Sequence, residues 1–329
     1  MDNGTDPRTV LLYSGGLDSR LACEVLRRAG VDVVLLQHES VFFPLREGSE
    51  APPGVSVVVR DLTEEVIRLV AEPHYGLGKN ANPCLDCKQR MYALAWEEAG
   101  RQGADFIATG EVLGQRPMSQ NREAFARMEK GAGLRGLVLR PLSGRLLPPT
   151  IPEERGLIDR ADLLDLQGRG RKRQIALAAA WGIRDYPTPA GGCKLTDPQY
   201  AGRVLRLRAL GRLTAENLRA ARFGRFVELP DGAPALIGRS HADNEALLAD
   251  APEGSFIVEL AGRPGPLACV LGPAGAADLE QAGALVIRYS RFAGVPGCEV
   301  LARTRDEARA GHARTAAGDG RPGRREPAG

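Results

Sequence analysis

Between residues 9 and 109 the chain alternates short β-branched apolar runs with amphipathic helical stretches, and that alternation leaves few folds open. Residues 9–13, 32–37, 55–59 and 105–109 read as strands, and residues 19–29, 64–71 and 88–102 as helices. Strands separated by helices cannot pair as hairpins. They are expected to lie parallel in one sheet with helices on its faces, an α/β arrangement. Ligands of such open sheets gather beyond the carboxyl ends of the strands, which places Ser14, Gln37 and Thr109 at the expected site.

Further along, residues 137–142 read as another strand, Pro148, Pro149 and Pro152 enforce a loop, and helical patterns return at 160–166 and 171–181. A turn-rich segment, 186–193, leads to a basic helix at 197–210. From residue 223 the pattern changes to short strands (225–229, 235–237, 255–260, 267–271) with helices at 244–249 and 276–282, which describes a small α+β module. The 329 residues are enough for about two domains. The expected division is a first domain over 1–205, a second over 206–301, and a disordered Arg/Gly/Pro-rich tail over 302–329. No apolar run reaches the roughly 18 residues of a membrane span. The polar, acidic start lacks a basic and apolar leader pattern, so a cytoplasmic protein without membrane contact is expected.

Ser14-Gly15-Gly16-Leu17-Asp18-Ser19 joins the first strand to the first helix. Two successive glycines let the backbone approach an anion, and the N–H groups of the helix start, with the hydroxyls of Ser14 and Ser19, can bind phosphate oxygens. Asp18 suits magnesium held against pyrophosphate, or a substrate proton. An ordinary strand-to-helix turn with a serine cap would use some of the same residues. The segment resembles the SGGxDS fingerprint of PP-loop ATP-pyrophosphatases, which cleave ATP between its α and β phosphates. It lacks the Gly-Lys-Ser/Thr ending of a Walker A loop, so γ-phosphate transfer is disfavoured. The resemblance implies an adenine nucleotide alpha-hydrolase-like PP-loop domain, ATP and Mg2+ as cofactors, and nucleotide contacts from Ser14, Gly15, Gly16, Asp18, Ser19, Gln37, Thr109 and Gly110, with Asp18 catalytic.

Six cysteines in so long a chain read as thiols or metal ligands rather than a disulfide framework. Cys84-Leu85-Asp86-Cys87 opens the helix that follows, and Cys193 comes about a hundred residues later after Gly191-Gly192. Two thiolates on one turn can share a metal centre, and a third can complete a three-sided site. A redox pair, or half a zinc site with His74, uses the same spacing. Cys23, Cys269 and Cys298 read as packing residues. Together with Ser14–Ser19, the set resembles the sulfur-transfer branch of PP-loop enzymes. Supporting segments are Thr109-Gly110-Glu111, residues 114–120 and 189–196, and Arg140-Pro141-Leu142. The resemblance covers roughly residues 8–205 and extends to proteins described as tRNA thiouridylases. It implies a 4Fe-4S cluster ligated by Cys84, Cys87 and Cys193, catalytic roles for Cys84 and Cys193, and a sulfur donor that is sulfide, a persulfide or a sulfur-carrier protein.

No flanking zinc-finger cysteine pairs occur, so RNA contact has to come from elsewhere. Phe223-Gly224-Arg225-Phe226, Ile237-Gly238-Arg239-Ser240, Asn244-Glu245, Pro264-Gly265-Pro266 and Arg288-Tyr289-Ser290-Arg291 resemble an NFACT-type RNA-binding module. Of the 44 basic residues only five are lysines, and arginine carries the planar fork suited to phosphate. Dense runs (Arg169, Arg171, Lys172 and Arg173; Arg203, Arg206, Arg208, Arg212, Arg219, Arg222 and Arg225) read either as solvated helix faces or as a phosphate-tracking surface. The expected activity is ATP-dependent tRNA thiolation, uridine to thiouridine. The alternatives are an RNA-binding protein with an ATP-responsive PP-loop domain, and a PP-loop enzyme acting on a small molecule.

Overall fold

The computed structural model describes residues 6–45, 47–184, 186–187 and 192–318, and divides into two compact units, Met1–Asp197 and Pro198–Gly329. The first unit runs β1 (Arg8–Leu12), α1 (Leu17–Arg28), β2 (Asp32–Glu39), β3 (Ser56–Asp61), α2 (Thr63–Ala71), α3 (Cys84–Gln102), β4 (Phe106–Thr109), α4 (Arg122–Ala132), β5 (Val138–Leu139), α5 (Ile151–Glu154) and α6 (Lys172–Ala180). Its five strands are parallel in the order β3-β2-β1-β4-β5. Successive residues of a strand face opposite sides, so Val10 enters one core and Leu11 the other. Leu11 packs with α1 and α6, Val10 with α3 and α4. Both faces are covered, and this is why β1 and β2 read as nearly continuous apolar runs. The order reverses between β1 and β4, so the turns leaving these two strands face a common crevice.

The second unit adds α7 (Pro198–Ala209), α8 (Ala215–Ala220), β6 (Arg225–Glu228), β7 (Pro234–Ile237), α9 (His241–Ala249), β8 (Phe256–Leu260), β9 (Ala268–Val270), α10 (Ala276–Tyr289), β10 (Val300–Thr304) and α11 (Arg305–Gly318). Its sheet is antiparallel, β10-β8-β9-β7-β6. Ala282, Leu285 and Val286 of α10 pack on Ile237, Val258, Ala268 and Val270.

Several expectations change. α3 starts at Cys84, so both cysteines of the pair lie in its first turns rather than ahead of it. The helix expected at 160–166 is a single 3-10 turn, Arg160–Asp162. The backbone N–H groups of Leu164 and Leu166 then donate to Pro141 and Leu142 at 2.8 Å, which holds the segment extended. α4 was not foreseen. Asn121 caps it by accepting from the Ala124 N–H at 2.8 Å, and only Ala124, Phe125 and Met128 are buried. Part of the segment expected as tail is ordered: β10 pairs with β8, and α11 follows. Sheet pairing and an Arg303–Glu259 ion pair outweigh a composition poor in apolar residues. Of the turn-rich segment 186–193, residues 188–191 lie outside the described residues, as do residues 319–329 of the tail.

Candidate active site and RNA-binding module

Gly16 caps α1 without any side-chain hydrogen bond, so no side chain competes for the amides of the first turn. The Ser19 hydroxyl donates to the Gly16 carbonyl at 2.9 Å and accepts from the Ser14 N–H at 3.3 Å, which fixes the turn as a concave cradle. Gly15 takes φ +70°, and a Cβ there would meet Ser49 at 2.3 Å. Glycine is therefore required twice, for conformation and for the close approach of the 48–50 loop. Arg20 ties that loop down, donating to the carbonyls of Gly15, Gly48 and Glu50. Gln37 donates to the Ser49 carbonyl at 2.8 Å, so its amide holds the same loop.

Asp18 has one carboxylate oxygen occupied, accepting from Gln115 Nε2 at 3.0 Å, while Oδ1 is buried without a hydrogen-bond partner among the described residues. A buried, unsatisfied carboxylate oxygen calls for a cation or a proton donor from a ligand. The next residue, Arg116, lies beside Gly192 and electrostatically faces Cys193. Consecutive residues thus hydrogen-bond the Ser14–Ser19 turn and stand beside the Cys193 turn, and neighbouring Cα atoms are only about 3.8 Å apart.

The three expected cysteines meet electrostatically. Burial, then the proximity of Cys193, with Cys84 and Asp86 adding, pushes the Cys87 thiol up to about 12 against the opposing pull of Lys88. Burial likewise raises Cys193 to about 11. Asn82 Nδ2 donates to the Cys84 sulfur at 3.1 Å, and Asn80 Nδ2 donates to the Thr196 carbonyl at 2.7 Å, so one loop grips both cysteine turns. Asp86 is committed to the backbone N–H groups of His74 and Tyr75 at 3.2 Å. Among the described residues no three Cys, His, Asp or Glu side chains close around a single metal ion, His74 included.

Behind this surface lies a buried network that motif reading did not assign. Glu111, at the end of β4, accepts from the Tyr92 hydroxyl and from Thr109 Oγ1 at 3.1 Å, and pairs with Lys88 at 3.3 Å and Arg140 at 3.6 Å. Arg140 also reaches Glu129 at 2.6 Å and Tyr92 at 3.1 Å. Burial would raise the Glu111 carboxyl, but Lys88, Arg140 and the Tyr92 hydrogen bond outweigh it and hold it below the ordinary value. Lys88 directly follows Cys87, so the network anchors the start of α3. Thr109 spends its hydroxyl here. Gly110 is glycine because a Cβ would come within 2.8 Å of the Ser19 backbone, so this bare position lets α1 pack on the end of β4. His38, at the end of β2, is lowered to about 4 by burial and by Lys88 and Arg60, and its Nε2 is buried without a hydrogen-bond partner among the described residues. Gln115, Glu111 and Arg140 all fall in segments that carried the family resemblance, which was the available signal. For Tyr92 and Ser49 there was none.

In the second unit the expected basic run is divided. Arg203 donates to the carbonyls of Ala221, Phe223 and Gly224, while Arg206 and Arg208 stay exposed.

Comparison with known proteins matches residues 224–317 to the NFACT protein RNA binding domain. The tRNA sulfurtransferase of Pyrobaculum aerophilum is 30% identical over 162 residues, 43% of this chain and 30% of the relative. The tRNA-specific 2-thiouridylase MnmA of Xanthobacter autotrophicus is 28% identical over 239 residues, 63% of this chain and 57% of the relative. The chain therefore spans well under two thirds of either relative. A solved 4-thiouridine synthetase–RNA complex with bound ATP aligns with TM-score 0.33 and 24% identity over 43% of this chain and 38% of that one. Among the described residues no helix is long and apolar enough to cross a membrane. Over part of its length the chain is thus similar to tRNA sulfurtransferases and tRNA-specific 2-thiouridylases, and its residues 224–317 match an RNA-binding domain, in line with the resemblance drawn from the sequence.

Proposed function

We propose that this protein is an ATP-dependent tRNA sulfurtransferase that adenylates a uridine carbonyl oxygen, releases pyrophosphate and replaces AMP by sulfur. The observation that carries the reading is the hydrogen bond of Gln115 to Asp18 together with the place of the next residue, Arg116, beside Gly192 and within electrostatic reach of Cys193, which supports one shared site for nucleotide and thiols. A carbonyl oxygen is a poor leaving group until adenylated, so the substrate oxygen attacks the α-phosphorus and pyrophosphate departs. The uncapped amides of α1 and the exposed Ser14 hydroxyl hold the departing phosphates, while the Ser19 hydroxyl fixes the turn that presents them. The 48–50 loop, held by Gln37 and Arg20, walls the cradle, and Thr109 with Gly110 sets the angle of α1 against β4. The orphaned Asp18 Oδ1 fits Mg2+, which commonly takes one or two carboxylates together with substrate phosphates.

The thiol set fits a 4Fe-4S cluster in chemistry alone: it offers three soft donors, although among the described residues no three Cys, His, Asp or Glu side chains are grouped to hold a metal ion. Cys84, Cys87 and Cys193 would hold it, and bound there it supplies an iron free to carry sulfide. Two of these cysteines acting as a persulfide pair is the metal-free version. In the proposal the first unit, expected over 1–205 and ending at Asp197 in the structure, carries this chemistry, and the second unit carries tRNA recognition; the sulfur donor is sulfide, a persulfide or a carrier protein.

The test is pyrophosphate release and thiouridine formation with tRNA, ATP and sulfide under anaerobic conditions, with iron and sulfide analysis of the same sample. Turnover with iron bound to the protein supports the cluster version, and full activity of an iron-free, colourless sample supplied with a persulfide donor in place of sulfide leaves the persulfide pair, in which the second cysteine would close a disulfide as sulfur is transferred. Absence of pyrophosphate release under every such condition overturns the enzymatic reading in favour of an RNA-binding protein with a nucleotide-responsive domain.

A further inference from the structure

At the carboxyl end of α10 the second unit displays guanidinium groups laid against aromatic rings. The Arg225 guanidinium lies over the Tyr289 ring, 4.5 Å from its centroid. Three residues further, Phe292 has Arg263 and Arg291 at 5.0 and 4.9 Å. Tyr289 is 41% exposed, and Arg225, Arg263, Arg288 and Arg291 are exposed as well. Among the described residues none of these four arginines is ion-paired with a carboxylate, whereas Arg303 and Arg305 of the same unit are. The turn that carries the rings is braced: Ser290 N–H donates to the Ile287 carbonyl at 3.1 Å, and Phe292 N–H donates to Ser290 Oγ at 3.0 Å. Phe292 packs partly against the core of this unit, but the exposed Tyr289 serves no core, and both rings are flanked by unneutralised planar cations.

We propose that Arg225, Tyr289, Arg263, Arg291 and Phe292 form a stacking platform for unpaired bases, so that the RNA element taken by this unit is a loop or single-stranded segment and not plain duplex. The proposal rests on the RNA-binding reading of this module and deepens it. A duplex buries its base faces and offers mainly phosphates and 2′-hydroxyls, which need charge but no rings. Unpaired bases expose π faces, which stack on an aromatic ring or on the outer plane of a guanidinium already lying on one. The same arginines keep in-plane N–H donors free for phosphate. Ring and cation together therefore match a splayed nucleotide better than a regular helix.

The experiment uses the full chain, titrating fluorescently labelled tRNA and, separately, a blunt RNA duplex of similar length over a range of salt. Tyr289→Ala is expected to weaken tRNA binding on the order of tenfold with the slope of log affinity against log salt unchanged, because no phosphate contact is lost. Tyr289→Phe should bind as the parent does. Arg225→Ala should lower both affinity and slope, and duplex binding should be indifferent to Tyr289→Ala. Tyr289 is surface-exposed, and thermal melting of each variant checks that the fold is kept. Equal tRNA affinity in Tyr289→Ala and the parent, or parent binding to duplex as tight as to tRNA, overturns the platform while leaving the RNA-binding reading in place. A parent chain that binds neither RNA overturns both.

Discussion

Asp18 concentrates the proposed chemistry in a single atom. Its Oδ1 is buried with no hydrogen-bond partner among the described residues, and its Oδ2 is oriented by Gln115. Asp18→Asn keeps the shape and the Gln115 contact but removes the charge that a magnesium–pyrophosphate complex needs. Pyrophosphate release is expected to fall on the order of a hundredfold or more, with an unchanged far-UV circular dichroism spectrum and melting point; a variant turning over at the parent rate would remove Asp18 from the mechanism. His38 gives a second outcome at this scale. Its folded pKa lies at about 4 against an ordinary 6.5, so between these values the unfolded chain takes up a proton that the folded chain refuses. The stability this histidine contributes is therefore intact above pH 6.5 and is lost as pH falls through 4, a difference of about 3 kcal/mol. Urea denaturation across that window should show a shallower decline for His38→Gln than for the parent; parallel curves would mean that His38 titrates normally.

Among the elements, the end of β4 and the start of α3 are joined by charge rather than by packing alone. Arg140 is buried among Glu111, Glu129 and Tyr92, so Arg140→Met strands the Glu111 carboxylate with Lys88 as its remaining cation. Such a break is expected to cost about 3–5 kcal/mol. Adding Glu111→Gln should recover much of it, which a double-mutant cycle of urea midpoints measures; additive losses would show that the two do not interact. This coupling is not visible in local sequence: Tyr92, Glu111 and Arg140 come from three separate segments, and although Glu111 and Arg140 lie in motifs that carry the resemblance, nothing in those motifs pairs them. The strands of the first unit are legible because both faces are covered and β-branched residues repeat along them. α4 is not, since only three of its residues reach the core. The 160–166 segment misleads for the converse reason: its leucines are spaced as on a helix but are held extended against Pro141 and Leu142. For the candidate site, the Ser14–Ser19 turn and the cysteine pair announce themselves through residue type and spacing. Gln115, Lys88 and Ser49 become partners only once the sheet has brought distant turns together.

For the whole molecule, the division of labour can be tested by cutting where the two units part. The boundary between Asp197 and Pro198 precedes α7, whose Tyr200, Ala201, Val204 and Leu207 are buried and whose Arg203 holds the turn before β6. A cut near residue 208 would tear this helix from its own unit, so the informative truncation ends at Asp197. On the proposed function, residues 1–197 should keep ATP binding and the thiol site but lose most tRNA affinity. The slope of log affinity against log salt should fall too, because each lost arginine–phosphate contact no longer releases counterions. The carboxyl end divides differently from what its composition implies. Deleting residues 302–329 strips most of the edge strand β10, the Arg303–Glu259 pair, and the Arg309 donors to the carbonyls of Leu248 and Ala249, so it should destabilise the second unit and weaken RNA binding through unfolding. Deleting residues 319–329 leaves every described element whole and should leave thermal stability unchanged. Salt titrations of tRNA binding, with a melting curve for each of the four chains, separate these outcomes. If residues 1–197 alone retained the full affinity and salt slope, RNA recognition would belong to the parallel-sheet unit, and the second unit would need another role.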